Sequence, residues 1–330
     1  MGLNWHRQAE TGFLANFVFF LYNKKKALRN GIVESLLKEC KLCPRNCKVN
    51  RLIGEKGVCG ADGTLKVARA ALHFWEEPCI SGEKGSGAVF FSHCNLKCIY
   101  CQNCEISRGE AGKEITVQRL SDIFLELQQK GANNINLVTP THYIPQIIKA
   151  VKTAREKGLN LPIVYNTSGY ETPENIRLLA GTVDIYLTDF KYMDKTLAKL
   201  FSKAEDYPDY AKKALDEMFL QVGTPVFNDD DILQKGIIVR HLLLPAHLKD
   251  SKQILNYLYE RYQNKIYYSL MNQYTPMKKF DYPELNKKVS NKEYQDLIDH
   301  AIDLGIENGF VQEGETNKKS YIPPFDNEGV

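Results

Sequence analysis

The sequence predicts an α/β protein, a partial (β/α)6 TIM-like barrel carrying a small cysteine-rich module at its amino-terminal end. Three observations predict it. After residue 85, short β-rich runs alternate with helical patterns, the signature of parallel βα units. Six such units fall short of the eight that close a full barrel, so the barrel is expected to be open at one side. Residues 1–85 lack the alternation and instead hold Cys40, Cys43, Cys47 and Cys59 among many Gly and charged residues.

The expected strands are residues 88–91, 135–138, 163–165, 184–188, 237–244 and 266–270, with a last short strand at 310–312. Between the first two, Val117, Leu120, Ile123, Phe124 and Leu127 recur at helical spacing, Thr116 can cap the start, and Gly131 follows the end. Thr172-Pro173-Glu174 opens another helix, with Pro at the first helical position, where its missing N–H costs nothing. The chain therefore divides into an amino-terminal segment with its metal-binding module (1–85), the barrel (86–315) and a tail (316–330). The tail, with Pro323 and Pro324 and little apolar content, is expected to lie extended on the surface.

With 330 residues, 43% of them hydrophobic, the chain can fill a sizeable core. Forty-three Lys and Arg against 40 Asp and Glu leave a formal charge of +3, far short of the basic excess of a nucleic-acid binder. The nine cysteines are odd in number and most sit in two short stretches, which points to metal ligation in a reducing cytoplasm and away from disulfides. The apolar run 13–22 contains Asn16 and precedes Lys24, Lys25 and Lys26. It is too short to span a membrane and reads as a docked or interfacial helix, with a signal sequence as the alternative.

The loop Cys94-x3-Cys98-x2-Cys101 follows the first barrel strand, so three thiols meet at the carboxyl-terminal edge, where barrels place their chemistry. Three thiolates can wrap three irons of a cubane and leave the fourth iron open, the mark of a catalytic metal. The alternative is a structural zinc knuckle that recruits Cys104.

With Tyr100 before its last Cys, this loop resembles the signature of the radical SAM superfamily. Glu77-Pro78-Cys79-Ile80-Ser81-Gly82, Gly85-Ser86-Gly87 and Cys101-Gln102-Asn103 look like a branch related to pyruvate formate-lyase activating enzymes, and the resemblance spans about residues 40–315. It implies a [4Fe-4S] cluster at Cys94, Cys98 and Cys101, and S-adenosylmethionine on the open iron. Reductive cleavage then gives a 5'-deoxyadenosyl radical. An electron donor such as flavodoxin or ferredoxin is implied, with either a glycyl-radical enzyme as partner or direct modification of a metabolite or peptide. A non-enzymatic metal-binding module is the remaining reading.

The family's second strand ends in a Gly-Gly-Glu-like segment whose backbone holds the methionine amino group. Here Thr139-Pro140-Thr141-His142 stands there, which keeps only the backbone role open. Asn166-Thr167-Ser168-Gly169 is similar to the family's Thr-Asn-Gly-type element and offers Asn166 and Ser168 to the cofactor. Asp189-Phe190-Lys191 is similar to an Asp-Leu-Lys element, and Arg240-His241 with Pro245 to a Val-Arg...Pro pattern. A zwitterionic cofactor needs a cation for its carboxylate and acceptors for its hydroxyls, and Lys191, Arg240 and Asp189 supply them.

Each candidate has a plainer reading. Asp189 and Lys191 lie two apart on one strand face and can simply pair. His142 and His241 can be packing histidines. Gln273, Gln312 and Glu313 fall at the same barrel edge. Cys40-x2-Cys43-x3-Cys47-x11-Cys59 supplies enough thiols to close a zinc site, or to hold an auxiliary cluster that relays electrons. Cys79 can join either site or be buried.

Overall fold

The computed structural model describes residues 35–312 and 323–330. The run 13–22 and Glu313 lie outside the described residues, and the tail is described from residue 323. No helix of the described residues is long and apolar enough to cross a membrane.

Ten strands form the sheet: β1 (Leu65–His73), β2 (Ser86–Phe91), β3 (Lys113–Ile115), β4 (Ile135–Val138), β5 (Ile163–Thr167), β6 (Ile185–Asp189), β7 (Val226–Phe227), β8 (Leu233–Leu242), β9 (Tyr267–Met271) and β10 (Gly309–Val311). β2, β4, β5, β6, β8, β9 and β10 run parallel in that order. β1 and then β3 extend the β2 edge antiparallel, and β7 pairs antiparallel with β8. The six anticipated strands are all present, and the short last strand makes a seventh parallel member. This is the open α/β barrel that the alternation predicts.

One face of the sheet packs against helices, which gives the parallel strands their nearly continuous burial. Helix Val117–Gln129 buries Leu120, Ile123, Phe124 and Leu127, and Thr116 accepts from the Arg119 N–H at its start. Such a stripe stabilises by roughly 1.5–3 kcal/mol per large apolar side chain. Helix Pro173–Leu178 is capped by Thr172, whose side chain accepts from the Asn175 N–H.

β1 escapes the sequence pattern because Leu-Lys-Val-Ala-Arg-Ala-Ala-Leu-His is poor in β-branched residues and its register slips between Val67 and Arg69. The tail is extended but not loose. The Asn327 N–H donates to Ala68 O and Glu328 O accepts from the Ala70 N–H, covering part of β1.

The connection from β1 to β2 enters the barrel. Helix Pro78–Ser81 places Cys79 and Ile80 against Val164, Ile185, Leu187, Leu233 and Ile238, on the sheet face opposite the packed helices. Asn133 and Asn134 fasten this plug by donating to Ser81 O and Ile80 O. Cys79 is thus a buried packing residue, 6% exposed. Because side chains alternate along a strand, Asn166, Asp189 and Arg240, each two residues beyond Val164, Leu187 and Ile238, project on the same face just above the plug.

Candidate active site

The loop after β2 begins with Ser92, bonded to β1 through its N–H, and turns sharply at His93 (φ +76°) and Lys97 (φ +52°). Those turns bring the loop over the carboxyl edge of the strands. A chain of hydroxyls ends on one sulfur: Tyr100 Oη to Tyr192 Oη at 2.6 Å, Tyr192 Oη to Ser202 Oγ at 2.8 Å, and Ser202 Oγ to Cys98 Sγ at 2.9 Å. Tyr192 and Ser202 carry no motif. Only folding brings the helix Lys195–Ser202 to the loop.

Burial favours the neutral thiol at Cys94 and Cys101. Burial pushes Cys101 up to about 12, with Cys98 and Cys94 adding to the effect, and burial likewise raises Cys94. Metal uptake at these residues must therefore release protons. Among the described residues no three His, Cys, Asp or Glu side chains converge as they would round one metal ion. A cubane does not require it, since each cysteine binds its own iron. Three mutually interacting thiols on a sharply turned loop, beside the Lys191 cation, fit such a group.

Below the loop lies a cavity of about 530 Å3, lined among others by Cys98, Tyr100, Cys101, Asn166, Asp189, Lys191 and Arg240. These residues share a charge network. Lys191 Nζ donates to Asp189 Oδ2 at 2.6 Å, and Arg240 Nε to Asp189 Oδ1 at 3.1 Å. Arg240 Nη2 reaches Asn166 Oδ1 at 2.5 Å, and its Nη1 reaches Glu76 Oε2 at 3.0 Å. Glu76 also accepts from Asn136 at 3.0 Å and Asn166 at 3.3 Å.

Burial alone would lift the Asp189 carboxyl, but Lys191 and Arg240 hold it below its ordinary value. Burial would lower Lys191, and Asp189 followed by Cys98 holds it up. Glu77, beside Glu76, is lifted by burial, with Arg240 opposing. Sequence reasoning passed over Glu76 and Glu77 as functional groups. Their signals were the place of Glu77 at the head of the segment Glu77–Gly82 that carries the resemblance, and a pair of adjacent acids opening a segment with apolar Cys79 and Ile80.

Other candidates lie elsewhere. Thr139, Pro140, Thr141 and Ser168 are outside the cavity wall. Thr139 adopts φ +57°, a left-handed conformation costly for a β-branched residue, and its N–H donates to Asn166 O at 2.9 Å. Thr141 Oγ1 turns to Glu171, which accepts from Thr141 and Thr167 at 2.5 Å each. Glu171 is fully buried, and burial raises its carboxyl to about 7.

His142 and His241 are packing histidines. His142 Nε2 bonds to Ser92 O at 2.7 Å, and both ring nitrogens of His241 are engaged, by Phe190 O and Ser251 Oγ, each at 2.8 Å. Gln273 and Gln312 line the cavity but hold each other, Gln312 Nε2 donating to Gln273 Oε1 at 3.1 Å. Cys104 opens the helix Cys104–Arg108 outside that cavity wall.

The amino-terminal cysteines influence one another electrostatically, but among the described residues no three of them converge as they would round one zinc ion. Cys40, Cys43 and Cys59 are buried and Cys47 half-buried. Burial raises Cys43 and Cys59, and neighbouring thiols of the same group raise both further. Between Cys43 and Cys47, Arg45 reaches over to the other loop. Its Nε donates to Asn95 O at 3.0 Å, its Nη2 to Ser202 O at 2.9 Å and its Nη1 to Lys203 O. The cation also stands 5.2 Å from the centre of the Tyr170 ring. Arg51, 1% exposed, docks the module a second time by donating to His142 O and Asp62 O.

Residues 88–234 match the model of a family described as the radical SAM superfamily. Among curated proteins, "Uncharacterized protein MJ0674" of Methanocaldococcus jannaschii is 29% identical over 285 residues, covering 83% of this chain and 77% of that one. The pyruvate formate-lyase-activating enzyme of Clostridium pasteurianum is 26% identical over 175 residues, covering 50% of this chain and 64% of that one. Among solved structures, Streptococcus suis SuiB bound to S-adenosylmethionine gives a TM-score of 0.44 at 15% identity over 68% of this chain and 49% of that one. The [FeFe]-hydrogenase maturase HydG gives 0.48 at 16% identity over 67% and 50%. The chain thus spans about half the length of these solved structures.

Proposed function

We propose, from the match of residues 88–234 to the radical SAM family, that the chain uses a [4Fe-4S] cluster and S-adenosylmethionine and abstracts hydrogen from a substrate held above the plug. The observation that carries the reading is that Cys98 and Cys101 border the same cavity as Asn166, Asp189, Lys191 and Arg240. When bound, the cluster supplies the electron that breaks a C–S bond of S-adenosylmethionine and frees the 5'-deoxyadenosyl radical.

The protein's own part is to orient and to shield. Cys94, Cys98 and Cys101 would hold the cluster, and the Ser202 hydroxyl on Cys98 Sγ favours electron density on that sulfur. Lys191 and Arg240 are the cations within reach of a cofactor carboxylate, and Asn166 and Asp189 the acceptors for its hydroxyls. Tyr100 packs its ring edge-on to Phe201 and Tyr274, which fixes it beneath the loop. A reduced carrier such as flavodoxin or ferredoxin would deliver the electron.

Two targets follow. Likeness to an activating enzyme supports abstraction from a glycyl residue of a separate partner. Direct modification of a metabolite or peptide is favoured by the closed floor, since the plug makes the cavity a cup with acidic groups at its base.

The test is reconstitution with iron and sulfide under anaerobic conditions. The wild-type protein should be brown and release 5'-deoxyadenosine when reduced with S-adenosylmethionine present, whereas the variant with Cys94, Cys98 and Cys101 all changed to Ala should release none. Equal release from both proteins rejects the assignment. A colourless protein holding zinc alone makes it a metal-binding module without enzymatic activity.

A further inference from the structure

The cavity contains a buried carboxylate of which one oxygen finds no partner among the described residues. Glu77 lines the wall, is 8% exposed, and its Oε2 has no hydrogen-bond partner. It occupies the N-cap position of helix Pro78–Ser81, yet its side chain makes no capping bond. The plug also fixes its backbone, because Ile80 is fully buried and the Glu77 carbonyl accepts from the Ile80 and Ser81 N–H groups.

The cations among the described residues do not complete it. Lys191 is held by Asp189, and the Arg240 donors go to Asp189, Glu76 and Asn166. Among the described residues, three carboxylates in the wall, Glu76, Glu77 and Asp189, face two cations, Lys191 and Arg240. A second acceptor on the same sheet face, Asn136 Oδ1, is also unpartnered, while the Asn136 amide donates to Glu76. A buried oxygen left without a donor is unfavourable, so a ligand that brings the missing donor recovers that energy on binding.

We propose that Glu77 is the substrate-recognition carboxylate of this cavity, and that the substrate carries a cationic nitrogen, an ammonium or guanidinium, that docks on it. The inference rests on the radical reading of the site and names the substrate class for direct modification. The two described cations are already committed to Asp189 and Glu76, which leaves the donor for Glu77 Oε2 to a ligand. A site built round an unpaired acceptor also rejects analogues that lack the donor far more strongly than a hydrophobic pocket could. The nitrogen can belong to a small amine or to a Lys or Arg side chain of a peptide.

The experiment measures binding by calorimetry to the reconstituted full chain saturated with S-adenosylmethionine. The probes are agmatine, a capped Gly-Arg-Gly peptide, and neutral butylurea. Wild-type protein should bind at least one cationic probe and not butylurea, agmatine pointing to a small amine and the peptide to a side chain. Glu77→Gln, nearly isosteric, should weaken that binding by about tenfold or more, with S-adenosylmethionine affinity unchanged.

Failure of both cationic probes to bind overturns the proposal, as does equal affinity in the Gln variant. If Glu77→Gln instead loses S-adenosylmethionine, Glu77 belongs to the cofactor and the proposal also fails. Melting curves verify the fold. Should the Gln variant not fold, Glu77→Asp must still prefer the cation over butylurea. Deoxyadenosine release by wild type tests the radical reading independently of these outcomes.

Discussion

Arg240 Nη1 stands 3.0 Å from Glu76 Oε2, joining strand β8 to the plug across 164 positions of chain. With Asp189 and Asn166 on its other nitrogens, this arginine ties the ends of β5, β6 and β8 to the floor of the cavity.

Arg240→Ala should therefore cost about 3–5 kcal/mol of stability, because it strands buried carboxylates. It should also weaken S-adenosylmethionine binding by roughly 1–3 kcal/mol. Urea unfolding of Arg240→Ala, Glu76→Gln and the double variant checks the first effect, the double being less damaged than the sum of the singles. Simple additivity would contradict the clamp.

Arg45→Ala should loosen the hold of the cysteine module on the 94–101 loop by about 1–3 kcal/mol, since its charged donors satisfy carbonyls of Asn95, Ser202 and Lys203. Amide hydrogen exchange in that loop should quicken. Unchanged exchange would mean the guanidinium is only a surface ornament there.

The variant lacking Cys94, Cys98 and Cys101 isolates the second cysteine group. Elemental analysis should find metal there, either zinc, for a structural site, or iron with sulfide, for an electron relay. A metal-free protein would remove the site.

His241 gives the pH dependence a sign. Burial depresses its folded value to about 4, whereas the unfolded chain keeps about 6.5. Between these values the unfolded state binds more protons, so stability falls as pH drops through that window. From pH 7 to 5 His241 by itself should account for a loss of about 2 kcal/mol, and His241→Gln should remove that share and leave the shares of His142 and His93, which burial depresses in the same way. Parallel urea curves at both pH values decide.

Thr139 occupies φ +57° where the resembling family carries glycine. Thr139→Gly should leave stability unchanged or raise it by up to about 1 kcal/mol, as relief of strain offsets the greater freedom of glycine in the unfolded chain. A clear loss would show that its side chain holds something essential.

The sequence alone determined the periodic parts of this protein. Helical and strand spacing between residues 88 and 312 reflects which face of each element is buried, so the six strands and the loop of Cys94, Cys98 and Cys101 were readable in order. Caps at Thr116 and Thr172 were legible because they depend on neighbours three residues away.

Tertiary structure decided the rest. β1 was hidden by its Ala-rich composition and its register slip. Whether Asp189 and Lys191 pair, and that both histidines are packing residues, depended on partners such as Arg240, Phe190, Ser92 and Ser251. The plug, Glu76 and Glu77, the Ser202 hydroxyl on Cys98 and the reach of Arg45 join residues distant in the chain. Their energies come from burial and hydrogen bonding across the fold, and a linear pattern does not encode which distant groups will meet.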